Sequence, residues 1–415
     1  MSQKRLLRIK NMKIAIIDNF HWPPVGGGTR AIKEVANGFV ERGYETTLIT
    51  PNYGFRGKIL PAYDHELKFK IHKLDFNKFN FNGFYLHKKI KSTLMKLAPD
   101  AVLIGNANLF KPYMILASRD YPTVVRLYAY ELLCPLYYGL LFKNNCICAH
   151  NFISSPHKCI PCIFNKNYVT KLNFEALRSF SFLLPLYHRI AKESLKYPEK
   201  FILTSDYMKK RFSEIIPTKK LKIIPHGVAT DKFKPYDSER SNREFKRIFA
   251  PCRPDDPIKG LDTLLEAANI LWKHRHDFRI LIASYANTSI IKYPFLIQEG
   301  WKSGNEIYSA YATSDLVVVP SIWAEPFGLA ALEAMSSGVA VIASRTGGLT
   351  DFIEDGKTGI FVPPGDHEAL ASKINELLND DEYRLRLGVE ARKKVLIRYS
   401  WSQIVNEYIS VIKGL

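Results

Sequence analysis

The sequence predicts an α/β protein of two doubly wound domains, and three observations predict it. Short β-branched runs alternate with longer amphipathic stretches along the whole chain, which is the order of βαβ units and parallel sheets. The alternation pauses once, at a polar segment broken by Gly and Pro. The 415 residues, 47% of them hydrophobic, also exceed what one core takes up, since single cores stop growing near roughly 250 to 300 residues. In order, the first series opens with a strand at Lys13–Ile17 (KIAII), a helical segment at Thr29–Glu41 and a strand at Thr46–Thr50. Further strands are expected at Ala101–Gly105, Thr123–Tyr128, Lys200–Ser205 and Leu221–Pro225. The stretch His226–Lys246 reads as a linker, because its charges, Gly and Pro fit neither period. A second series follows, with strands at Arg247–Cys252, Phe278–Ser284, Leu316–Pro320 and Val339–Ser344. Two such domains leave a cleft between them, and in doubly wound sheets ligands bind beyond the carboxyl ends of the strands. No internal repeat or low-complexity tract interrupts the pattern.

No stretch of about 18 uncharged apolar residues occurs, so a spanning helix is not predicted. The opening MSQKRLLRIKNMKIAII is basic without the long apolar run of a signal peptide, and a cytoplasmic protein is expected. The formal charge of +19 is uneven. Residues 1–240 hold 39 Lys+Arg against 18 Asp+Glu, or +21, and residues 241–415 hold 20 against 22, or −2. That asymmetry fits either a solvated lysine-rich surface or attraction to an anionic membrane or a phosphorylated acceptor, with peripheral association at the inner face of the membrane. No nucleic-acid motif accompanies it, and a nucleic-acid partner is not expected.

The chemistry concentrates in EPFGLAALE, which sets Glu325 and Glu333 eight residues apart. Two such carboxylates could form an acid/base pair, two metal ligands or two grips on one polar ligand. Glu325 stands at the carboxyl end of the strand LVVVP, and a helix is expected from about Gly328 to Ser337, with Gly338 as its stop. The backbone N–H groups of Phe327, Gly328 and Leu329 then form a helix N-terminus that attracts an anion. Gly347 and Gly348 open a second helix start after the next strand, and RPDDPIKG puts Arg253 and Lys259 after the domain's first strand. Two cations and two helix N-termini make a diphosphate site that needs no catalytic metal. VGGGTR, by contrast, lacks the Gly-x-Gly-x-x-Gly spacing of a dinucleotide loop.

With these residues in place the chain resembles the glycosyl transferase group 1 family, the retaining glycosyltransferases of the GT-B fold. The resemblance rests on SIWAEPFGLAALEAMSSGVAVIASRTGGLTDFIEDGKTGIFVPPGD, IKGLDTLLEA, IIPHGVATDKFKP and PPVGGGTRAIKEVANGFVERGYETTLIT. It covers nearly the whole chain, and the Glu-x7-Glu spacing is its hallmark. It implies two Rossmann-like domains facing a cleft: an acceptor-side domain at 12–235, a nucleotide-sugar domain at 236–399, and a last helix at 400–415 returning to the first domain. It also implies transfer of a sugar, with retention, from a nucleotide diphosphate sugar to a lipid-linked, polysaccharide or other glycan acceptor. Glu325 would hold donor-sugar hydroxyls and Glu333 the ribose. Arg253 and Lys259 would stabilise the leaving diphosphate, and Gly27 and Gly28 would approach the donor from the first domain. Two positions depart from the pattern. Where many relatives have a histidine after the strand at VVRLYAYELLCP, this chain has Tyr128 or Ala129, so no first-domain catalytic histidine is assigned. Ala340 replaces a usual proline. The rival readings are a non-catalytic sugar-nucleotide-binding scaffold and a sugar-nucleotide epimerase or phosphorylase of the same fold.

Four of the six cysteines, Cys146, Cys148, Cys159 and Cys162, crowd into CICAHNFISSPHKCIPC, within an insertion at about 134–165. In a chain without a secretion signal, such thiols suit a structural zinc held by four thiolates, a disulfide or redox role, or unpaired thiols. Cys134, His150 and His157 lie nearby as bystanders.

Overall fold

The computed structural model describes residues 12–19, 27–54, 57, 58, 67–77, 79–134, 147–163, 183–235, 244–252, 256–283, 293–300, 302 and 304–415. It divides into two compact units, one built mainly from residues before His226 together with Trp401–Leu415, the other from His226–Ser400.

Unit 1 is a seven-stranded parallel sheet. Its strands are β1 (Lys13–Ile17), β2 (Glu45–Pro51), β5 (Lys70–Leu74), β6 (Ala101–Ile104), β7 (Thr123–Arg126), β8 (Lys200–Leu203) and β9 (Leu221–Ile223), in the order β5-β2-β1-β6-β7-β8-β9. A two-residue antiparallel pair, β3 (Tyr53–Gly54) and β4 (Gly57–Lys58), stands apart from it. The central strands are apolar throughout because helices cover both faces of such a sheet. Ile17 is level with both Ile49 and Ile104, so β1 and β6 end side by side. The helices are α1 (Gly27–Glu41), α2 (Gly83–Leu97), α3 (Lys111–Ala117), α4 (Pro156–Ile163), α5 (Leu184–Ser194) and α6 (Asp206–Phe212). Asn82 caps α2 by accepting from the N–H of Tyr85, the preferred N-cap chemistry.

Unit 2 repeats the plan with six parallel strands: β10 (Lys246–Ala250), β11 (Phe278–Ala283), β12 (Leu296–Glu299), β13 (Leu316–Val319), β14 (Ala340–Ser344) and β15 (Ile360–Val362). Their order is β12-β11-β10-β13-β14-β15. Phe249, Val317, Val341 and Ala343 enter one core, whereas Ile248, Ala250, Val318 and Ile342 enter the other. That alternation is the two-residue period of a strand buried on both faces. The helices are α7 (Leu261–Trp272), α8 (Asn305–Ala312), α9 (Leu329–Ser336), α10 (His367–Asn379) and α11 (Asp381–Arg398). The last helix, α12 (Trp401–Lys413), lies in unit 1. It adds Ile404, Val405, Tyr408, Ile409 and Ile412 to the core that holds Ile32, Val35 and Phe39 of α1. A side chain on Gly38 would come within 2.6 Å of Val405, so the glycine permits the close helix packing. Arg42 adds a bond from Nε to Asn406 Oδ1 at 2.8 Å.

Three expectations differ from the structure. The edge strands β5, β12 and β15 add to those read from the sequence; KIHKL and LIQE are half-exposed and lack the apolar run that marks central strands. The stretch expected as a linker is packed at its start, where Val228 and Phe233 join the core of unit 2 and Val228 bridges to Ser400. Two buried apolar side chains outweigh the polar composition around them. The strand expected to reach Tyr128 ends at Arg126.

Candidate functional site

The sheet of unit 2 reverses its order between β10 and β13, the place where doubly wound sheets open a crevice. Lys259 closes the 3-10 turn Pro257–Lys259 that follows β10, and Glu325 lies in the loop after β13. Their Nζ and Oε1 atoms are 2.7 Å apart, and Ser321 Oγ donates to the same oxygen at 2.6 Å. Burial pushes the Glu325 carboxyl up. The Lys259 ammonium and bonds from Lys259, Ser321 and Trp323 outweigh that and hold it below the usual carboxylate value. The pair is asymmetric in exposure, the lysine side chain 31% accessible and the glutamate 7%. An ionised carboxylate is therefore sealed behind an ammonium that keeps one side open. Lys259 Nζ also lies 5.0 Å from the centre of the Trp323 ring, a cation–π distance.

Glycines let the three loops of this strand-end cluster interlock. Gly260 has φ 73°, and a side chain there would run into the Pro320 carbonyl. Gly347 has φ 53°, and a Cβ would lie 2.5 Å from the Glu325 nitrogen. The Gly348 N–H donates to the Glu325 carbonyl at 2.7 Å, and the Ile322 N–H to the Ile258 carbonyl at 3.0 Å. Gly347 and Gly348 open a 3-10 turn, Gly347–Asp351. Gly328, at φ 106°, stands at the N-cap of α9, which no side chain caps and which Leu329 opens. Phe327 is buried and stacks on Phe352 with ring centres 4.8 Å apart, and the buried ring of His226 lies 5.8 Å from it. One turn on, Glu333 accepts a 2.8 Å bond from the hydroxyl of Tyr311, whose ring is buried among Phe233 and Phe249. That bond fixes the direction of the glutamate.

Lys259, Glu325, Phe327, Gly328, Gly347 and Gly348 thus occupy neighbouring loops of one sheet edge, and Leu329 and Glu333 the first half of α9. Arg253 falls outside the described residues. Gly27 and Gly28 begin α1 in unit 1, and a Cβ on Gly28 would lie 3.8 Å from the Tyr128 ring and 3.9 Å from Asn106 Cγ.

Around these residues unit 1 holds a buried polar network that sequence reasoning missed. Lys111 Nζ donates to the Arg126 carbonyl at 2.6 Å and to Glu131 Oε1 at 2.8 Å. The Glu131 carboxylate accepts the N–H of Ala129 at 3.0 Å. It thereby fixes the loop after β7 that holds Tyr128 and Ala129. Burial pushes the Glu131 carboxyl up, and the Lys111 ammonium and these bonds bring it below its usual value. Arg126 donates to the Leu203 and Ile224 carbonyls and lies over the Tyr128 ring at 5.4 Å. Burial holds the Tyr128 hydroxyl far above its usual pKa, so it stays neutral. After β1, wholly buried Asp18 accepts the Asn106 N–H at 2.5 Å. Burial raises its pKa to about 7, although the Asn106 bond and Lys111 oppose the rise. The available signal was an arginine at the end of the apolar run TVVR.

Of the cysteine cluster, Cys148 and Cys159 are half-buried, with Sγ atoms 3.9 Å from the His150 and Ser155 carbonyls. Cys146 and the Cys162 side chain lie outside the described residues. Among the described residues no three His, Cys, Asp or Glu side chains are arranged to hold a metal ion.

The family Glycosyltransferase Family 4 matches residues 25–232, half of the chain, and Glycosyl transferases group 1 matches residues 243–394. The chain belongs to the group 1 glycosyltransferases. Glycosyltransferase MJ1607 of Methanocaldococcus jannaschii is 24% identical over 97% of this chain and 98% of its own. The lipopolysaccharide 1,2-N-acetylglucosaminetransferase of Salmonella typhimurium is 28% identical over 52% of this chain, which spans 62% of that relative's length. Two solved glycosyltransferase-fold structures share the architecture. Sucrose-phosphate synthase from Thermosynechococcus elongatus has a TM-score of 0.70 at 18% identity, and Anabaena HepE in complex with UDP has 0.69 at 17%. Each likeness covers 97% of this chain, with 98% of the first structure and 100% of the second. This group 1 glycosyltransferase therefore has the GT-B fold, two Rossmann-like units each built on a parallel sheet.

Proposed function

We propose that the protein transfers a sugar from a nucleotide diphosphate sugar to a hydroxyl group of a glycan or lipid-linked acceptor, with retention of configuration. The observation that carries the reading is the Lys259–Glu325 pair at the strand-order reversal of unit 2, sealed on the carboxylate side and open on the ammonium side. The open ammonium and the uncapped start of α9 suit a diphosphate, whose negative charge grows as the bond to the sugar breaks. Glu325 grips sugar hydroxyls and Glu333 grips the ribose, so the two glutamates hold one ligand. Arg253 adds a second cation, and Gly27 and Gly28, at the start of α1, are proposed as further donor-binding residues. No catalytic metal is required by this arrangement, and turnover is expected to persist in EDTA.

A thermal-shift panel of UDP-, GDP- and ADP-sugars tests the reading. A ligand at 100 times its dissociation constant adds about 2.7 kcal/mol of stability, and one nucleotide class is expected to give that shift. A flat panel, or a shift without release of nucleoside diphosphate in the presence of glycan or lipid extracts, would favour the binding-scaffold reading.

The acceptor side is assigned to unit 1, with docking on an anionic membrane. No helix among the described residues is long and apolar enough to cross a bilayer. Instead α2 presents Phe84, Tyr85 and Met95, each about half exposed or more, beside Phe79 and the exposed Lys88 and Lys96. Apolar side chains among lysines suit the headgroup layer of an anionic surface. A four-thiolate zinc at Cys146, Cys148, Cys159 and Cys162 is proposed as structural, and metal analysis of the purified chain tests it.

A further inference from the structure

Glu325 Oε1 carries two donors of different kinds. Lys259 Nζ reaches it at 2.7 Å from the turn after β10, and Ser321 Oγ donates to it at 2.6 Å from the glutamate's own loop. The ammonium stands on a side chain 31% accessible, so it has room to turn toward an arriving anion. The serine has none. It is buried, and the backbone between it and the glutamate is pinned by the neighbouring loops. The Ile322 N–H donates to the Ile258 carbonyl at 3.0 Å, Thr346 Oγ1 to the Trp323 carbonyl at 3.1 Å, and the Gly348 N–H to the Glu325 carbonyl at 2.7 Å. A hydroxyl has one proton to donate. Ser321 spends it on the glutamate and has none for a ligand.

These two donors respond differently to a diphosphate. An anion that draws Lys259 away leaves a buried carboxylate without its counter-charge, and a buried acceptor left without partners is costly. The carboxylate therefore tends to follow the ammonium. With Ser321 fixed on Oε1 it keeps one donor and its direction, and the position that the ammonium gives up opens to another O–H.

We propose that Ser321 is a positioning residue, which holds the Glu325 carboxylate in place while its partner changes from the Lys259 ammonium to hydroxyl groups of the donor sugar; this rests on the transferase reading above. The serine then acts on the sugar half of the donor through Glu325 and leaves the nucleoside diphosphate half untouched.

The test is calorimetric titration of the full chain with matched probes: UDP and UDP-glucose, GDP and GDP-mannose, ADP and ADP-glucose. The pair that binds wild type is carried into the variants. Ser321→Ala removes the hydroxyl and little volume; Ser321→Cys, with a weak S–H donor in its place, serves should the alanine variant fold poorly. Either substitution is expected to weaken the sugar nucleotide at least fivefold and the free diphosphate less than twofold. Added to Glu325→Ala, Ser321→Ala should cost less than twofold more, because the side chain through which it acts is gone. A general loosening of the loop would instead weaken both members of the pair alike. The assignment is overturned if the loss of sugar-nucleotide affinity falls short of fivefold, if the free diphosphate weakens equally, or if the loss persists without Glu325. In each of those cases the nucleotides still bind wild type and the donor reading stands. If no member of any pair binds wild type, the donor reading falls and the role of Ser321 falls with it.

Discussion

Both units place a lysine–glutamate pair near the reversal of their strand order, and the two pairs differ in one property. In unit 2 Lys259 and Glu325 meet at 2.7 Å with the lysine 31% exposed, whereas in unit 1 Lys111 and Glu131 meet at 2.8 Å with side chains 0% and 1% exposed. A sealed pair has no room to exchange partners, and its carboxylate is committed to the loop after β7. An open one can turn its ammonium to an arriving anion while the carboxylate stays ionised. On the proposed reading the same two side chains act as scaffold in one unit and as a binding site in the other, and solvent access decides which.

The largest effect expected from this contrast is on stability. Lys111→Met leaves the Glu131 carboxylate buried without its counter-charge, and should cost about 3–5 kcal/mol in denaturant unfolding. A cost below about 1 kcal/mol would mean that unit 1 does not depend on the pair. Lys259→Met should cost less stability, because its ammonium is partly in water and Glu325 keeps the Ser321 bond. Its effect belongs to turnover at saturating donor, expected to fall by roughly 10²–10³; wild-type turnover would remove Lys259 from the diphosphate site.

Asp18 sharpens the comparison through pH. Its folded value of about 7 lies above the 3.8 of an ordinary aspartate. The folded state therefore keeps a proton that the unfolded chain releases, and loses stability progressively as pH rises from about 4 to about 7. Asp18→Asn removes that loss. The variant's melting temperature should match wild type near pH 4 and exceed it by a margin that widens up to pH 8. A margin independent of pH would show that the carboxyl titrates normally.

Smaller still is the membrane contribution, at about 1 kcal/mol per basic residue near an anionic surface. Binding of the chain to anionic vesicles should fade as salt shortens the Debye length to roughly 3 Å at 1 M. Equal binding to neutral vesicles would leave the +21 against −2 asymmetry without this explanation.

What the sequence disclosed, and what it hid, follows from the same physics. Runs such as LVVV and AVLI are legible because a central parallel strand is apolar on both faces. The loops of unit 2 are legible because their glycines sit where backbone approaches backbone, as at Gly260 and Gly347. β5 alternates the exposed Lys70 and His72 with the half-buried Ile71 and Lys73, and so reads as surface. Asp18, Lys111 and the Arg126–Glu131 stretch lie apart in the chain with no common spacing. Only the folded sheet brings them together, so single charges in apolar surroundings carried the message without a pattern to declare it.

The central claim is that the donor nucleotide is gripped by the strand-end loops of unit 2. Calorimetric titration of the nucleoside diphosphate selected by the shift panel tests it on two variants. Glu333→Ala loses a charged hydrogen-bond acceptor aligned by Tyr311, worth about 1.5–3 kcal/mol. Its dissociation constant should rise at least tenfold, while that of Asp18→Asn stays within twofold of wild type. Unchanged affinity in Glu333→Ala, or a loss confined to Asp18→Asn, would contradict the account.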